Sequence, residues 1–397
     1  MLDASSLMDL ENELGAHNYH PLPVMLTEGQ GAWVTDLEGR RYLDCLSAYS
    51  ALNQGHVHPH ILKALVEQAA RLTITSRAFH NDKLGLLYQK LVKLSGMPRV
   101  LPMNTGAEAV ETALKAARKW AYQVKGVTAN SAEIIVCENN FHGRTTTIVS
   151  FSTESQYREG FGPFTPGFRI IPYGDIAALR AAITPDTCAF LVEPIQGEAG
   201  VIVPPEGFLR QAAQLCREHD VLLILDEIQT GLGRTGKLFA FQHEEIVPDV
   251  LVLGKALSGG FYPVSAMLAR AEVMQVFTPG DHGSTFGGNP LGCAVALAAL
   301  EVIEAERLVE RAHTLGQLAI SQLQRSQSPG VVEVRGKGLL IGIELDKPAR
   351  PYCEALEKRG LLCKETHARV IRFAPPLVIS ETDLLWATEQ LLAVLRD

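Results

Sequence analysis

The fold is decided within residues 221–255, which open with VLLILDE (221–227) and close with DVLVLGK (249–255). Both segments are short aliphatic runs that end in polar or glycine residues. Uninterrupted aliphatic runs of this kind are typical of parallel strands covered by helices on both faces. Asp226 and Lys255, which end the two runs, are therefore expected at one edge of a sheet, where such folds bind ligands.

The alternation of strand and helix continues towards the N-terminus. Further strand-like runs occur at 133–140 and 189–194, and helical patterns occur at 107–124 and 207–220. This order predicts an α/β fold in which a large domain is built on a mostly parallel central sheet. Glu193, at the end of the second run, is expected at the same sheet edge as Asp226.

The C-terminal third has a different pattern. A helical tract runs from 290 to about 326, and shorter strand and helix patterns then alternate, at 331–345, 350–359, 370–377 and 380–396. We interpret this part as a smaller α+β domain, which a predicted hairpin at 31–50 could join. The expected units are an N-terminal segment that joins the small domain, the large domain and the C-terminal small domain, at 1–49, 50–300 and 301–397.

Composition argues against several classes of partner. The chain has 397 residues, of which 47% are hydrophobic and 20% are charged, and its net charge is −8. Without a basic block, we expect no binding to nucleic acid or to an anionic membrane, and no apolar run suits a membrane span. The acidic N-terminus is unlike a secretory or mitochondrial leader. Seven scattered cysteines without a C-x-x-C motif indicate reduced thiols, and so a cytoplasmic protein.

Lys255 is the only charged residue between Val250 and Leu268. A lysine in such a setting can pack its aliphatic stem on apolar surface and keep its amine in water. Alternatively, it is a Schiff-base lysine, whose amine becomes nucleophilic because an apolar pocket lowers its pKa. A strand end beside glycines favours the second interpretation without excluding the first.

The position of Asp226 suggests which kind of cofactor Lys255 would bind. A carboxylate at this position could keep a pyridine nitrogen protonated, and Gln229 could hydrogen-bond a hydroxyl on the same ring. The glycines at 231, 233 and 236 match the spacing of a dinucleotide-binding loop. We reject that interpretation because two acidic residues precede them and would repel a pyrophosphate.

The segment MNTGAEAVETALKAARKW (103–120) contains a helix start. Thr105 and Glu108 fit the capping-box pattern. The free N–H groups of Gly106 and Ala107 could also hold a phosphate at the positive end of that helix. The two interpretations are compatible.

Three histidines, His56, His58 and His60, lie close together in GHVHPH (55–60). This spacing raises the possibility of a zinc site, but no cysteine or carboxylate is spaced to support it, and Pro59 interrupts a strand. We interpret the segment as a polar loop and expect no metal.

Taken together, these motifs resemble those of the class III, or ω-, aminotransferases, which are pyridoxal-phosphate enzymes of fold type I. The resemblance runs in order along nearly the whole chain. The segments that carry it are NTGAEA (104–109), NNFHGRT (139–145), EPIQGEAG (193–200), DEIQTGLGRTG (226–236), LGKALSGG (253–260) and HGSTFGGNP (282–290).

The resemblance implies a role in cofactor binding for each motif. Lys255 would be linked to pyridoxal 5′-phosphate and would move the proton between substrate and cofactor. Asp226 would hold the pyridine nitrogen, Gln229 would contact the phenolic oxygen and Phe141 would stack on the ring. The phosphate would be held by Gly106 and Ala107 and, from a second subunit, by Ser284 and Thr285. A homodimer would thus be the smallest active unit, with larger assemblies left open.

Within the class, five further segments resemble the enzymes that act on L-ornithine. They are GAHNYHPLPV (15–24), LSAYSALNQGH (46–56), LTITSRAFHND (72–82), YPVSA (262–266) and VIRFAPPLVI (370–379). The implied ping-pong reaction moves the δ-amino group of L-ornithine to 2-oxoglutarate. Its products are glutamate and glutamate 5-semialdehyde, which cyclises to pyrroline-5-carboxylate, so the enzyme would serve arginine breakdown or proline supply.

The resemblance also implies which residues bind the substrates. Tyr19 and Arg144 would fix the α-carboxylate and α-amino end of ornithine, and Tyr49 would shape the same end. Glu198 and Arg372 would form the pair that lets one site accept two substrates. His142 stands where animal relatives usually have a tryptophan, and its role is left open.

Three alternatives remain at this stage. The first is an aminotransferase for acetylornithine or another ω-amine, and the second is a pyridoxal-phosphate isomerase on the same fold. The third is a relative that binds partners without catalysis, although such a protein would have no reason to keep Lys255, Asp226 and the phosphate loop together.

Overall fold

The computed structural model describes residues 3–396, whose strands form one sheet of seven strands and two of four. The strands are β1 (Leu26–Gln30), β2 (Trp33–Asp36), β3 (Arg41–Asp44), β4 (Arg99–Met103), β5 (Glu133–Cys137), β6 (Phe168–Ile171), β7 (Thr187–Val192), β8 (Leu222–Asp226), β9 (Val250–Leu253), β10 (Ser265–Ala269), β11 (Val331–Lys337), β12 (Leu340–Leu345), β13 (Leu361–Leu362), β14 (Lys364–Thr366) and β15 (Val370–Phe373).

Helices surround these sheets and connect their strands. They are α1 (Ala4–Leu14), α2 (Ser47–Ser50), α3 (Pro59–Ala69), α4 (Leu84–Ser95), α5 (Gly106–Trp120), α6 (Thr146–Val149), α7 (Ser155–Arg158), α8 (Ile176–Ala182), α9 (Phe208–Glu218), α10 (Ala271–Met274), α11 (Pro290–Ala305), α12 (Leu308–Arg325), α13 (Arg350–Lys358) and α14 (Glu381–Arg396). Within residues 3–396, no helix is both long enough and apolar enough to cross a membrane.

The seven-stranded sheet confirms the predicted α/β architecture. Its order is β4-β10-β9-β8-β7-β5-β6. The strands from β9 to β6 are parallel, and β10 runs antiparallel to both of its neighbours. Every residue of β7, β8 and β9 is buried, as their aliphatic sequences predict. Their carboxyl ends place Glu193, Asp226 and Lys255 at one edge of the sheet.

The two smaller sheets connect distant parts of the chain. One has the order β11-β12-β15-β14, and the other, β1-β2-β3-β13, pairs Leu43 of β3 in parallel with Leu361 of β13. The hairpin predicted at 31–50 is wrong in extent. Only β2 and β3 form it, and the chain leaves the sheet after Asp44 into the left-handed turn α2, whose φ angles are all positive.

The helical tract predicted from 290 to 326 is two helices, α11 and α12. They are separated at Arg307, which has a φ of 53°. A residue in the left-handed region cannot continue a right-handed helix, so the chain changes direction there. Apolar spacing alone does not reveal this break, since both helices keep a buried face.

Candidate active site

A cavity of about 210 Å³ lies between the carboxyl ends of the parallel strands and the start of α5. It brings together the residues that the sequence predicts around the cofactor, except for Ser284 and Thr285. These are Gly106, Ala107, Phe141, Asp226, Gln229 and Lys255. The other lining residues are His142, Gly143, Glu193, Ile195, Ile228 and Thr230. The motifs therefore converge on one site although up to 149 residues separate them in sequence.

Lys255 projects into this cavity from the turn that follows β9. Burial lowers the pKa of its amine, and the nearby charge of Arg372 lowers it further, whereas Glu198 and Asp226 act in the opposite direction. The net lowering increases the fraction of neutral, nucleophilic amine near neutral pH. The structure therefore supports the Schiff-base interpretation over a lysine that only packs its stem.

Asp226 is paired with His142 in the wall of the cavity. The Nδ1 atom of His142 lies 2.7 Å from Oδ2 of Asp226, and the backbone N–H of Ile228 donates to Oδ1 at 3.0 Å. Burial by itself lowers the pKa of His142, but the hydrogen bond to Asp226 and its negative charge outweigh burial and raise it. These two hydrogen bonds fix the orientation of the Asp226 carboxylate, the group that would hold a protonated ring nitrogen.

Sequence reasoning left the role of His142 open, and only the pairing with Asp226 reveals it. Glu193 is a second such residue. Its Oε2 atom accepts the backbone N–H of Phe141 at 3.0 Å, so it holds the segment that carries the aromatic ring. Burial raises the pKa of Glu193 to about 7, against the opposing charge of His142. The sequence signals for Glu193 were its place at the end of a buried strand and at the start of EPIQGEAG (193–200), and neither indicated its contact with Phe141.

Arg372 and Glu198 form a closed ion pair next to Lys255. Nη1 of Arg372 donates to Oε1 of Glu198 at 2.9 Å, while Nη2 donates to the carbonyl oxygen of Gly197 at 2.9 Å. Burial favours the neutral form of Glu198, but the charge of Arg372 outweighs it and lowers the pKa of Glu198 to about 2. The side chain of Arg372 is 1% exposed, so its charge is balanced by the Glu198 carboxylate rather than screened by water.

Gln229 lies against the same pair. Its Nε2 donates to Oε1 of Glu198 at 3.1 Å, so the amide of Gln229 contacts the Arg372–Glu198 ion pair. A Cβ on Gly197 would come within 1.7 Å of the Gln229 side chain, and only glycine allows this approach. The contact between Gln229 and the phenolic oxygen of a cofactor stays a prediction.

Tyr49 lies beside the ion pair, and its ring centroid is 5.5 Å from the guanidinium carbon of Arg372. Tyr19 and Tyr49 both line a neighbouring cavity of about 440 Å³. Arg144 is exposed and lies over two aromatic rings, 5.8 Å from the centroid of Phe141 and 4.5 Å from that of Tyr157. The residues predicted for the α-carboxylate end thus lie around the cavity rather than inside it.

The start of α5 combines both predicted features. Thr105 Oγ1 accepts the N–H of Glu108 at 3.2 Å, and Glu108 Oε2 accepts the N–H of Thr105 at 2.7 Å, which confirms the capping box. The next residues, Gly106 and Ala107, line the cavity. The positive end of the helix therefore faces the space where a phosphate would bind.

Ser284 and Thr285 do not line the cavity of their own chain. Ser284 Oγ accepts a hydrogen bond from Asn104 Nδ2 at 2.9 Å, and Thr285 is exposed. Their predicted phosphate contact across a subunit interface stays a prediction.

The three clustered histidines have separate partners. His56, His58 and His60 contact Asp44, Glu306 and Glu301 respectively, at 2.8, 2.8 and 2.7 Å. In the described part of the chain, no group of three or more histidine, cysteine or acidic side chains is arranged to hold a metal ion.

The chain belongs to the class III aminotransferase family, since the profile for Aminotransferase class-III matches residues 14–395. It is similar to the ornithine aminotransferase of Bacillus subtilis (strain 168), with 60% identity over 99% of this chain and 98% of the relative. The ornithine aminotransferase structure from Toxoplasma gondii ME49 has a TM-score of 0.98 and 48% identity, covering 100% of this chain and 95% of its own. The acetylornithine aminotransferase structure from Elizabethkingia anophelis has a TM-score of 0.91 and 52% identity, and the match covers 100% of this chain and 99% of that chain.

Class III aminotransferases use pyridoxal 5′-phosphate, and the residues of the cavity fit this cofactor. They supply a carboxylate for a protonated ring nitrogen, a helix start for a phosphate, an aromatic ring and a desolvated lysine. When bound, the cofactor withdraws electrons from the substrate carbon that loses a proton. Asp226, held in place by His142, would bind the ring nitrogen, and Lys255, whose pKa is lowered, would accept and return this proton.

Proposed function

We propose that this chain is an ornithine aminotransferase, which moves the δ-amino group of L-ornithine to 2-oxoglutarate. The products would be glutamate and glutamate 5-semialdehyde, which cyclises to pyrroline-5-carboxylate. The observation that carries the proposal is the closed Arg372–Glu198 pair beside Lys255 and the Tyr49 ring. Relatives that are 60% identical over nearly their full length are ornithine aminotransferases.

The ion pair suits a site that must accept two different substrates in turn. Ornithine has to present its terminal amine to the cofactor at Lys255. A free arginine next to Lys255 would instead bind the α-carboxylate of ornithine and so present its α-amino group. Glu198 neutralises Arg372 in this half-reaction. 2-Oxoglutarate must present its α-carbon, and opening the pair frees a two-pronged guanidinium for the α-carboxylate next to it.

The proposal also gives roles to the other substrate-binding residues, which lie around the cavity. Tyr19 and Arg144 hold the α-carboxylate and α-amino end of ornithine, and Tyr49 shapes that end. Support comes from the shared cavity of Tyr19 and Tyr49 and from the position of Tyr49 beside Arg372. In the same proposal Phe141 stacks on the cofactor ring and Gln229 turns to its phenolic oxygen.

A homodimer is the smallest active unit in this proposal, with Ser284 and Thr285 of each chain completing the phosphate site of the other. Thr285 and Phe286 are exposed, and Ser284 lies against Asn104, just before the cofactor end of α5. The proposed division into residues 1–49, 50–300 and 301–397 is retained. A cytoplasmic location is consistent with seven buried cysteines that form no disulfide, and the product would enter arginine breakdown or proline supply.

A substrate panel tests the activity. Purified enzyme should be assayed with L-ornithine, N-acetylornithine, lysine and 4-aminobutyrate, each with 2-oxoglutarate, and with Lys255→Ala as the inactive control. We expect L-ornithine to give the highest kcat/KM and Lys255→Ala to show no steady turnover. Faster turnover of N-acetylornithine would contradict the proposal and favour the acetylornithine alternative, which the Elizabethkingia structure keeps relevant.

A further inference from the structure

Four consecutive residues near the substrate site adopt a left-handed backbone conformation. The φ angles of Ser47, Ala48, Tyr49 and Ser50 are 53°, 46°, 58° and 71°. This region is unfavourable for any residue with a Cβ, and consecutive residues rarely occupy it. Such a turn persists only when its surroundings hold it, and strain of this kind is concentrated at functional sites.

Asp44 holds the entry to this turn. Its Oδ1 atom accepts the backbone N–H groups of Leu46 and Ser47, both at 2.9 Å. The hydroxyl of Ser47 donates to the carbonyl oxygen of Ala374 at 2.7 Å, two residues beyond Arg372. The turn is therefore bonded at its start to the end of β3 and to the strand that carries Arg372.

His56 completes the coordination of Asp44. Its Nε2 atom lies 2.8 Å from Oδ2, so both carboxylate oxygens have partners. The backbone of His56 is itself fixed, because its N–H and carbonyl group both bond to Gly31, at 2.7 and 2.9 Å. His56 thus acts as a rigid support that prevents Asp44 from rotating away from the turn.

The residue carried by the strained turn is Tyr49, whose ring lies over Arg372. We propose that Asp44 and His56 are positioning residues that determine substrate specificity, because they hold the left-handed turn and keep the Tyr49 ring over Arg372. This inference rests on the proposed function, in which Tyr49 shapes the α-carboxylate end of ornithine. It assigns a role to His56, the first histidine of the GHVHPH segment, which does not line the catalytic cavity.

The first test compares His56→Ala with His56→Gln, and with His60→Ala as the matched control. His60 is an exposed histidine of the same segment that also pairs with a carboxylate. In holoenzyme, the ratio of kcat/KM for L-ornithine to that for 4-aminobutyrate should fall roughly tenfold in His56→Ala. His56→Gln, which keeps an N–H donor, should recover most of the ratio, and His60→Ala should equal wild type.

A second-site variant tests the role of strain. Glycine occupies the left-handed region without the steric cost that alanine has there, so Ala48→Gly should make the turn less dependent on its support. Added to His56→Ala, it should restore part of the preference for ornithine. Failure of Ala48→Gly to restore any preference would contradict the proposal.

Parallel measurements separate this inference from the proposed function. If Tyr49→Ala keeps the full preference for ornithine, the role proposed for Tyr49 fails and the positioning role fails with it. If Tyr49→Ala loses the preference but His56→Ala keeps it, only the positioning role is wrong. Equal losses with both substrates in His56→Ala, together with a lowered Tm, would show that His56 is purely structural and would overturn the inference.

Discussion

Arg372 shows how a single buried charge can be controlled by one neighbour. We predict that Glu198→Ala leaves the guanidinium permanently free, so glutamate reacts faster with the enzyme and the preference for ornithine shrinks. Arg372→Ala should spare the ornithine half-reaction and slow the 2-oxoglutarate half-reaction. Losing hydrogen bonds to a charged group costs about 1.5–3 kcal/mol, which is roughly a tenfold to hundredfold loss.

Stopped-flow measurement of each half-reaction would check this prediction. Glu333→Ala is a suitable control, because Glu333 is an exposed carboxylate that pairs with Arg335, on β11 of the sheet that also carries Arg372. If both variants slow the two half-reactions equally, the pair only supports the site and does not switch.

Glu193 should make stability depend on pH. Burial raises its pKa from the usual 4.5 to about 7, so the folded protein binds this proton more tightly than the unfolded chain. The stabilisation is fully present below pH 4.5 and is lost as pH rises towards 7. Glu193→Gln should remove this dependence, which is at most about 1.4 kcal/mol per pH unit.

Urea unfolding at several pH values between 4.5 and 8 would measure the effect. Glu138→Gln, an exposed carboxylate close to Glu193, provides the control. A Glu193→Gln profile parallel to that of the wild type would show that Glu193 does not carry the raised pKa.

At the scale of elements, the start of α5 has two functions that one variant can separate. Thr105→Ala removes the cap and should lower the free energy of unfolding by about 1 kcal/mol. It should also speed the loss of cofactor, because a frayed first turn no longer presents the N–H groups of Gly106 and Ala107 to the phosphate. Dialysis followed by absorbance would measure cofactor loss, and urea unfolding would measure stability.

Asp175→Ala is the matched control, since Asp175 caps α8 by accepting the N–H of Ala178 at 2.9 Å. It should lower stability by a similar amount without changing cofactor retention. If both variants retain cofactor equally, the start of α5 is only a helix cap.

The elements also show where sequence reasoning succeeds. Strands β7, β8 and β9 were predictable because a strand covered on both faces is aliphatic throughout, and these runs are too short for a typical helix. The left-handed turn α2 was not predictable, because serine, alanine and tyrosine have no local preference for that region. The long-range contacts that hold it are the bond from Ser47 to Ala374 and the contact of His56 with Asp44, which in turn bonds the start of the turn.

On the scale of the whole molecule, Arg234 connects segments that are far apart in sequence. It is completely buried, and its guanidinium donates to the Asn53 side chain and to the carbonyl oxygens of Leu339 and Pro375. Burial lowers the pKa of Arg234 to about 9. We predict that Arg234→Met lowers the free energy of unfolding by about 3 kcal/mol or more, since three buried acceptors lose their donor.

Urea unfolding of Arg234→Met beside Lys237→Met would test this prediction. Lys237 is an exposed cation of the same loop and should tolerate the change. A loss below about 0.5 kcal/mol in Arg234→Met, the size typical of surface substitutions, would show that water or a rearranged side chain satisfies the three acceptors.

The sequence by itself predicted the α/β class, the polar residues at the carboxyl ends of the parallel strands and six of the residues that line the cavity. These features follow from local patterns, namely aliphatic runs, a capping box and a solitary lysine, together with motifs that resemble one family. Tertiary structure alone decided the partners of His142 and Glu193, which come from segments up to 84 residues apart. Pairing between distant side chains depends on the packing of the sheets, and no local pattern records it.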